Sequence, residues 1–358
     1  MSIRTLLKYL VGNREAILQI GRTPGAPWLG ALFVLSAGFA REYDGKDLWA
    51  EPWHLAIPFA ASLVTSFLLF LLVNGVARAR GVGLQPFWPA YRVFLSLYWM
   101  TAPLAWLYAI PVERMASAGE AMQANLWLLG TVAVWRVALM TRVVSVLYGA
   151  SAWATLFPVM MFADSVALGV LFLTPMPMFN IMGGVRLSER EEVILTVVFF
   201  FRIATFATWF VWFLGTMITL QGQRSWQYAL AEARPVGAVN RSLWILGVCA
   251  IAVWLPLLPR TQPEQRLRHA VETDFSQRRI ADAVGKMSAH RPDDFPPHWD
   301  PPPHVAYAEE GQLPLLDVLE VAIDPAVPAW IQDLYADKLE NQMRDWSWFE
   351  NHRADLGR

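Results

Sequence analysis

Three apolar segments between residues 125 and 220 constrain this chain more than any other feature. Each is long enough to cross a bilayer as a helix, and each carries one charged residue near its middle: Arg136, Asp164 and Arg202. About 20 apolar residues rising 1.5 Å apiece span a ~30 Å hydrocarbon core. A lone charge at that depth costs from ~3 to more than 10 kcal/mol, so such residues turn toward one another, toward protein or toward water. Similar segments recur on both sides and place spans at about 26–43, 55–77, 91–110, 125–147, 151–173, 193–220 and 243–258, seven in all. The fold class expected is all-α: a polytopic membrane protein with about seven transmembrane helices and a C-terminal helical tail.

Composition agrees, with 55% apolar and 16% charged residues. The net charge of −1 hides a division: residues 1–258 hold 18 Lys+Arg against 12 Asp+Glu, whereas residues 259–358 hold 11 against 18. Three regions follow: an amphipathic N-terminal segment (1–22), a transmembrane helical domain (23–258) and an acidic, proline-rich tail (259–358). The chain has no basic excess and no basic-aromatic stripe, which argues against a nucleic-acid partner. Cys249 is the single cysteine, so neither an intrachain disulfide nor a cysteine metal site can form. The first apolar stretch runs into Arg41, Glu42 and Asp44 rather than a small-residue cleavage motif, so the first span is expected to stay as an anchor.

Residues 3–20 set Ile3, Leu6, Leu7, Leu10, Ile17 and Ile20 among Arg4, Lys8 and Arg14, the spacing of a basic amphipathic helix lying on a membrane or packed on the protein. With the N-terminus inside, 11 basic residues fall on inner segments and 5 on outer loops, which also hold nine of the twelve acidic residues before 259. The expected location is the cell inner membrane, with the N-terminus cytoplasmic and the tail extracytoplasmic. Tryptophans such as Trp28, Trp53, Trp127 and Trp254 fall near predicted span ends, as an interfacial belt requires. In the tail, Leu267, Val271 and Phe275, then Ile280, Val284 and Met287, predict two short helices. Residues 291–304 contain six prolines and read as extended chain. Asp324-Pro325 then opens an amphipathic helix on Ile331, Tyr335, Leu339, Met343 and Trp346, whose apolar face calls for a partner.

Counted from their outer ends, Arg136, Asp164 and Arg202 all lie ~13 to 17 Å deep. Asp164 and Arg202 come out level, and an ion pair between them would leave Arg136 as the net charge. Two readings stay open: a packing network that only fixes helix positions, or a site for an anion or lipid head group. His290, His298 and His304, with Asp293, Asp294 and Asp300, have ligand chemistry suited to Zn²⁺, but their spacing matches no metal motif. Nothing in the chain has the spacing of a catalytic or nucleotide-binding motif, and no cofactor is expected.

The run Asp294-Phe295-Pro296-Pro297-His298-Trp299-Asp300-Pro301-Pro302-Pro303, together with Phe39-Ala40-Arg41-Glu42-Tyr43-Asp44-Gly45, resembles segments of bacterial multi-span inner-membrane proteins without an assigned activity. The resemblance implies a bacterial membrane setting and carries over no substrate or site residue. Two functions are expected. The first is a membrane anchor or scaffold whose tail recruits an envelope protein through its proline-rich strip and amphipathic helices. The alternative is a transporter or lipid- or anion-binding protein built around Arg136, Asp164 and Arg202.

Overall fold

The computed structural model describes residues 1–43, 47–112, 115–116, 118–173, 189–222, 225–231, 235, 237–277, 279–295 and 321–344. The described residues are helical with no strand: α1 (Ile3–Leu10), α2 (Arg14–Arg22), α3 (Ala26–Glu42), α4 (Ala56–Ala79), α5 (Phe87–Trp99), α6 (Ala118–Tyr148), α7 (Ala152–Leu173), α8 (Glu189–Gln221), α9 (Arg241–Ala252), α10 (Trp254–Thr261), α11 (Pro263–Ser276), α12 (Ile280–Ser288) and α13 (Ala329–Arg344). Five stretches are long and apolar enough to cross a membrane: Pro52–Ala79, Gln123–Tyr148, Ala152–Phe172, Thr196–Gln221 and Arg241–Thr261. They become six if α2 and α3, bent by 107° across Pro24 and Gly25, count as one broken span.

Two of the seven predicted spans are therefore not intact long helices. The first is α3 alone, 17 residues or ~26 Å. The third breaks: α5 ends at Trp99 and the chain continues as a 3-10 helix over Ala102–Ala109. Pro103 explains the break, because its ring clashes with the carbonyl four residues earlier, that of Trp99.

The chain divides into two compact units, Met1–Tyr43 with Pro52–Pro256, and Asp44–Glu51 with Leu257–Arg358. The N-terminal segment is not separate. Leu6, Tyr9, Ile17 and Ile20 are buried in the core of unit 1, and the Tyr9 hydroxyl donates to the Leu97 carbonyl at 2.5 Å. α1 still exposes Ile3 and Leu7 one turn apart beside Arg4 and Lys8, so it is both packed on the protein and apolar on its outer ridge. Ser2 and Asn13 cap α1 and α2 by accepting from the backbone N–H groups of Thr5 and Ala16.

α3 runs through the middle of unit 1, with Leu29 and Phe33 fully buried. Close approach of helices rests on small residues, as expected where lipid supplies no drive to bury apolar surface. A methyl group on Gly30 would stand 2.7 Å from Cβ of Trp99, and one on Gly247 3.0 Å from Leu29. At one end of unit 1 a strap is pinned by backbone bonds: Trp226 N–H to Arg80, Gln227 N–H to Tyr148 and Ala229 N–H to Leu147. Met1 closes the same end through its ammonium group, which donates to Ala238.

Unit 2 has its own core of Val271, Phe275, Ala283, Met287, Phe295, Val321, Val327, Ile331 and Tyr335. The two helices predicted around 267–275 and 280–287 form as α11 and α12. The third begins at Ala329 rather than at Pro325, because Asp324 Oδ1 accepts from Ala326 N–H and holds Pro325 in a turn. The apolar face of α13 does not wait for a partner: Ile331 and Tyr335 are fully buried, with Tyr335 5.3 Å from the Phe275 ring. Side chains 339 and 343, and Trp346, lie outside the described residues.

Candidate functional site

α7 and α8 pack antiparallel, and three contacts fix their register. Gly215 lies against the Phe157 ring, Thr208 Oγ1 donates to Asp164 Oδ2 at 2.7 Å, and an Arg202 nitrogen donates to the Leu171 carbonyl. Each seven-residue step along α7 is matched by six or seven residues along α8. The Trp209 indole N–H, which donates to Ser165 Oγ at 2.9 Å, keeps the same register.

This register separates the two charges that depth counting placed level. Asp164 faces Thr208, and Arg202 is six residues further along α8, ~9 Å away down the axis. Depth counting assumed that both helices end at the same boundary. α8 instead begins at Glu189, thirteen residues before Arg202, while α7 ends at Leu173, two residues past Leu171. Arg202 therefore sits near the end of α7, with its guanidinium 5.5 Å from the Phe172 ring.

Arg136 looks elsewhere. Its guanidinium lies over the Tyr98 ring at 5.2 Å, and the Tyr98 hydroxyl is 3.0 Å from Thr65 Oγ1, which ties α6 through α5 to α4. The three residues are thus accommodated separately: Asp164 by a hydroxyl, Arg202 by a carbonyl and a ring, Arg136 by a ring.

The sequence reading missed the polar stripe that carries Thr208. Thr205, Thr216 and Thr219 are buried on α8 beside Gly215, while Phe200, Phe206, Phe210, Leu214 and Ile218 face outward. Positions 205, 208, 215, 216 and 219 recur at helical spacing, which was the available signal. Averaging hydropathy over the segment hides threonines among phenylalanines.

No family model matches the chain, and no curated protein or solved structure is significantly similar to it.

In unit 2, His290 Nδ1 stands 3.5 Å from Asp294 Oδ2. His298 and His304 lie outside the described residues, and among those described no group of three metal-ligating side chains forms. Asp274, only 3% exposed at its side chain, receives Arg279 at 2.6 Å and pairs with Lys286. It fixes the α11–α12 turn: the Arg279 N–H also donates to the Asp274 carbonyl at 2.8 Å. Both cations are half exposed, so the arrangement fits a structural clamp better than a ligand site.

Proposed function

We propose that the protein is a membrane anchor that carries a separately cored helical domain and presents it for recruitment of a soluble or envelope partner. The observation that supports this reading is the core of unit 2, in which Phe275, Met287, Ile331 and Tyr335 close on one another. A unit with a core of its own among its described residues has an apolar interior to fold around without borrowing one from the membrane unit. The start of the strip that the sequence reads as extended is instead a 3-10 turn over Pro292–Asp294, with Phe295 buried in the core of unit 2. Its recruiting element is then the proline-rich stretch 296–304, because prolines lower the entropy lost on binding. The three intramembrane charges, each with its own local partner, serve helix packing.

We further propose seven passages in the inner membrane, with the N-terminus cytoplasmic and the tail extracytoplasmic. Arg92 donates to the Pro24 carbonyl at 2.9 Å, and the Tyr43 hydroxyl donates to the Ala109 carbonyl at 3.3 Å. Those pairs mark the two ends of α3 and of the 87–109 segment, so the two run side by side over comparable lengths. Added to the five long spans they make seven, an odd number. The end that holds Met1, Arg78, Arg80 and Arg142 is the basic one, which the cytoplasm retains.

A photo-crosslinking residue at position 299 of the full chain, in cells, tests recruitment. A discrete adduct that weakens when Pro301, Pro302 and Pro303 become alanine is expected; no adduct beyond that of a crosslinker at Trp28 would sink the reading. A reporter active only outside the cytoplasm, fused after Arg358, should be active, and a silent fusion overturns the seven-passage topology.

A further inference from the structure

A recess of about 580 Å³ opens at the basic end of unit 1, between the C-terminal end of α2, the first turns of α5 and the strap around Tyr228. Two guanidinium groups line it, Arg22 and Arg92, with Gln85 and Trp88 beside them, and no carboxylate lines it among the described residues. Two cations lining one recess, with no acid beside them among the described residues, raise its positive potential. A site that keeps two of them is complementary to an anion.

Each arginine has capacity left. Arg22 Nε is buried with no hydrogen-bond partner, and a buried donor left unmatched is costly. Arg92 uses one nitrogen on the Pro24 carbonyl and is otherwise exposed. α5 starts at Phe87 behind Pro86, without a side-chain cap, so its first N–H groups and the positive end of its dipole add to the potential there. Prolines and Trp88, the latter 70% exposed, give the rim an apolar edge.

We propose that this recess binds a phosphate-bearing anion, with Arg22 and Arg92 as its paired donors. A guanidinium fork matches phosphate oxygens in geometry and charge. The phosphate has two sources, a lipid headgroup or a free phosphate compound. The apolar rim of prolines and Trp88 beside the two arginines suits an anionic lipid.

The test uses the full chain purified in an uncharged detergent, with thermal melting and native mass spectrometry as readouts. The probes are dioctanoyl phosphatidylglycerol, inorganic phosphate, and dioctanoylglycerol as a phosphate-free control. Phosphatidylglycerol should raise the melting temperature saturably and remain bound in the mass spectrum, and dioctanoylglycerol should do neither. Arg22→Gln and Arg92→Gln should each weaken the response about tenfold or more, whereas Arg14→Gln, outside the recess, should leave it unchanged. A response to inorganic phosphate with the same arginine dependence assigns a free anion; a response to the lipid alone assigns a headgroup. Equal loss in Arg14→Gln, or none in the recess variants, overturns the proposal. Should either arginine variant not fold, Ala231→Phe keeps both arginines while filling the recess, and an undiminished response in it also overturns the proposal.

Discussion

On α8 of unit 1, Phe200, Phe206, Phe210 and Ile218 point outward while Thr205, Thr216 and Thr219 are buried; on α12 of unit 2, Ala283 and Met287 are buried while Asp282 and Lys286 are exposed. The two helices are amphipathic in opposite senses, and the solvent accounts for it. In water, removing apolar surface contributes ~25 cal/mol per Å², so a helix turns its apolar stripe inward. In lipid that term is absent between helices, and close packing with hydroxyl-to-carbonyl or hydroxyl-to-carboxylate bonds decides which face goes in. Composition alone therefore does not say where a helix keeps its core.

The comparison breaks most visibly by cutting into one core and watching the other. Ile331→Ala removes a fully buried side chain from unit 2 and should cost about 2 to 5 kcal/mol there. Hydrogen exchange of the full chain in nanodiscs should show faster exchange over α11 and α13 with α3 and α6 unchanged. Equal loss of protection in α3 would mean that the two cores fold as one.

One substitution with opposite signs in the two units sharpens it. Gly30→Ala places a methyl 2.7 Å from Trp99 Cβ, with the Trp99 Cα and carbonyl carbon at 3.7 Å, so backbone would have to move. That should lower the stability of unit 1 by about 1 to 3 kcal/mol. Gly285→Ala, inside α12, meets nothing within 4 Å and should raise the stability of unit 2 by up to about 1 kcal/mol through helix propensity. Thermal melting of the two variants should move in opposite directions, and a gain from Gly30→Ala would refute the close α3–α5 contact.

Much of this architecture is written locally. The apolar runs at 55–77, 125–147, 151–173, 193–220 and 243–258 announce α4 and α6 to α10, and Leu267, Val271 and Phe275 announce α11. The break after Trp99 was also legible in Pro103, whose effect falls four residues upstream. What was not legible is register. Gly215 and Phe157 set how far α8 slides past α7, and counting residues from the segment ends misses that slide, so it sets Asp164 level with Arg202 where the structure sets it against Thr208. The recess is less legible still: Arg22 and Arg92 stand 70 positions apart and come to line it because α2 packs on α5. The partner of α13 lay in the same tail, but no period links Ile331 to Phe275.

The smallest effect separates two buried tyrosines, one in each unit. Tyr9 and Tyr335 are both fully buried, but Tyr9 donates to the Leu97 carbonyl while the Tyr335 hydroxyl has no hydrogen-bond partner. Tyr9→Phe should thus cost about 1 kcal/mol, and Tyr335→Phe should be close to neutral or slightly stabilising at neutral pH. Burial also pushes the Tyr335 hydroxyl well above its ordinary value of 10.0. Below pH 10 the side chain is neutral in both the folded and unfolded chain, so its contribution there is fully present. As pH rises past 10 the unfolded chain ionises first, and the stability of unit 2 falls toward the folded value. Tyr335→Phe removes that alkaline loss without touching unit 1. Chemical denaturation of the two variants at neutral and strongly alkaline pH checks both signs, and an unchanged alkaline slope in Tyr335→Phe would show that this hydroxyl is not held neutral by burial.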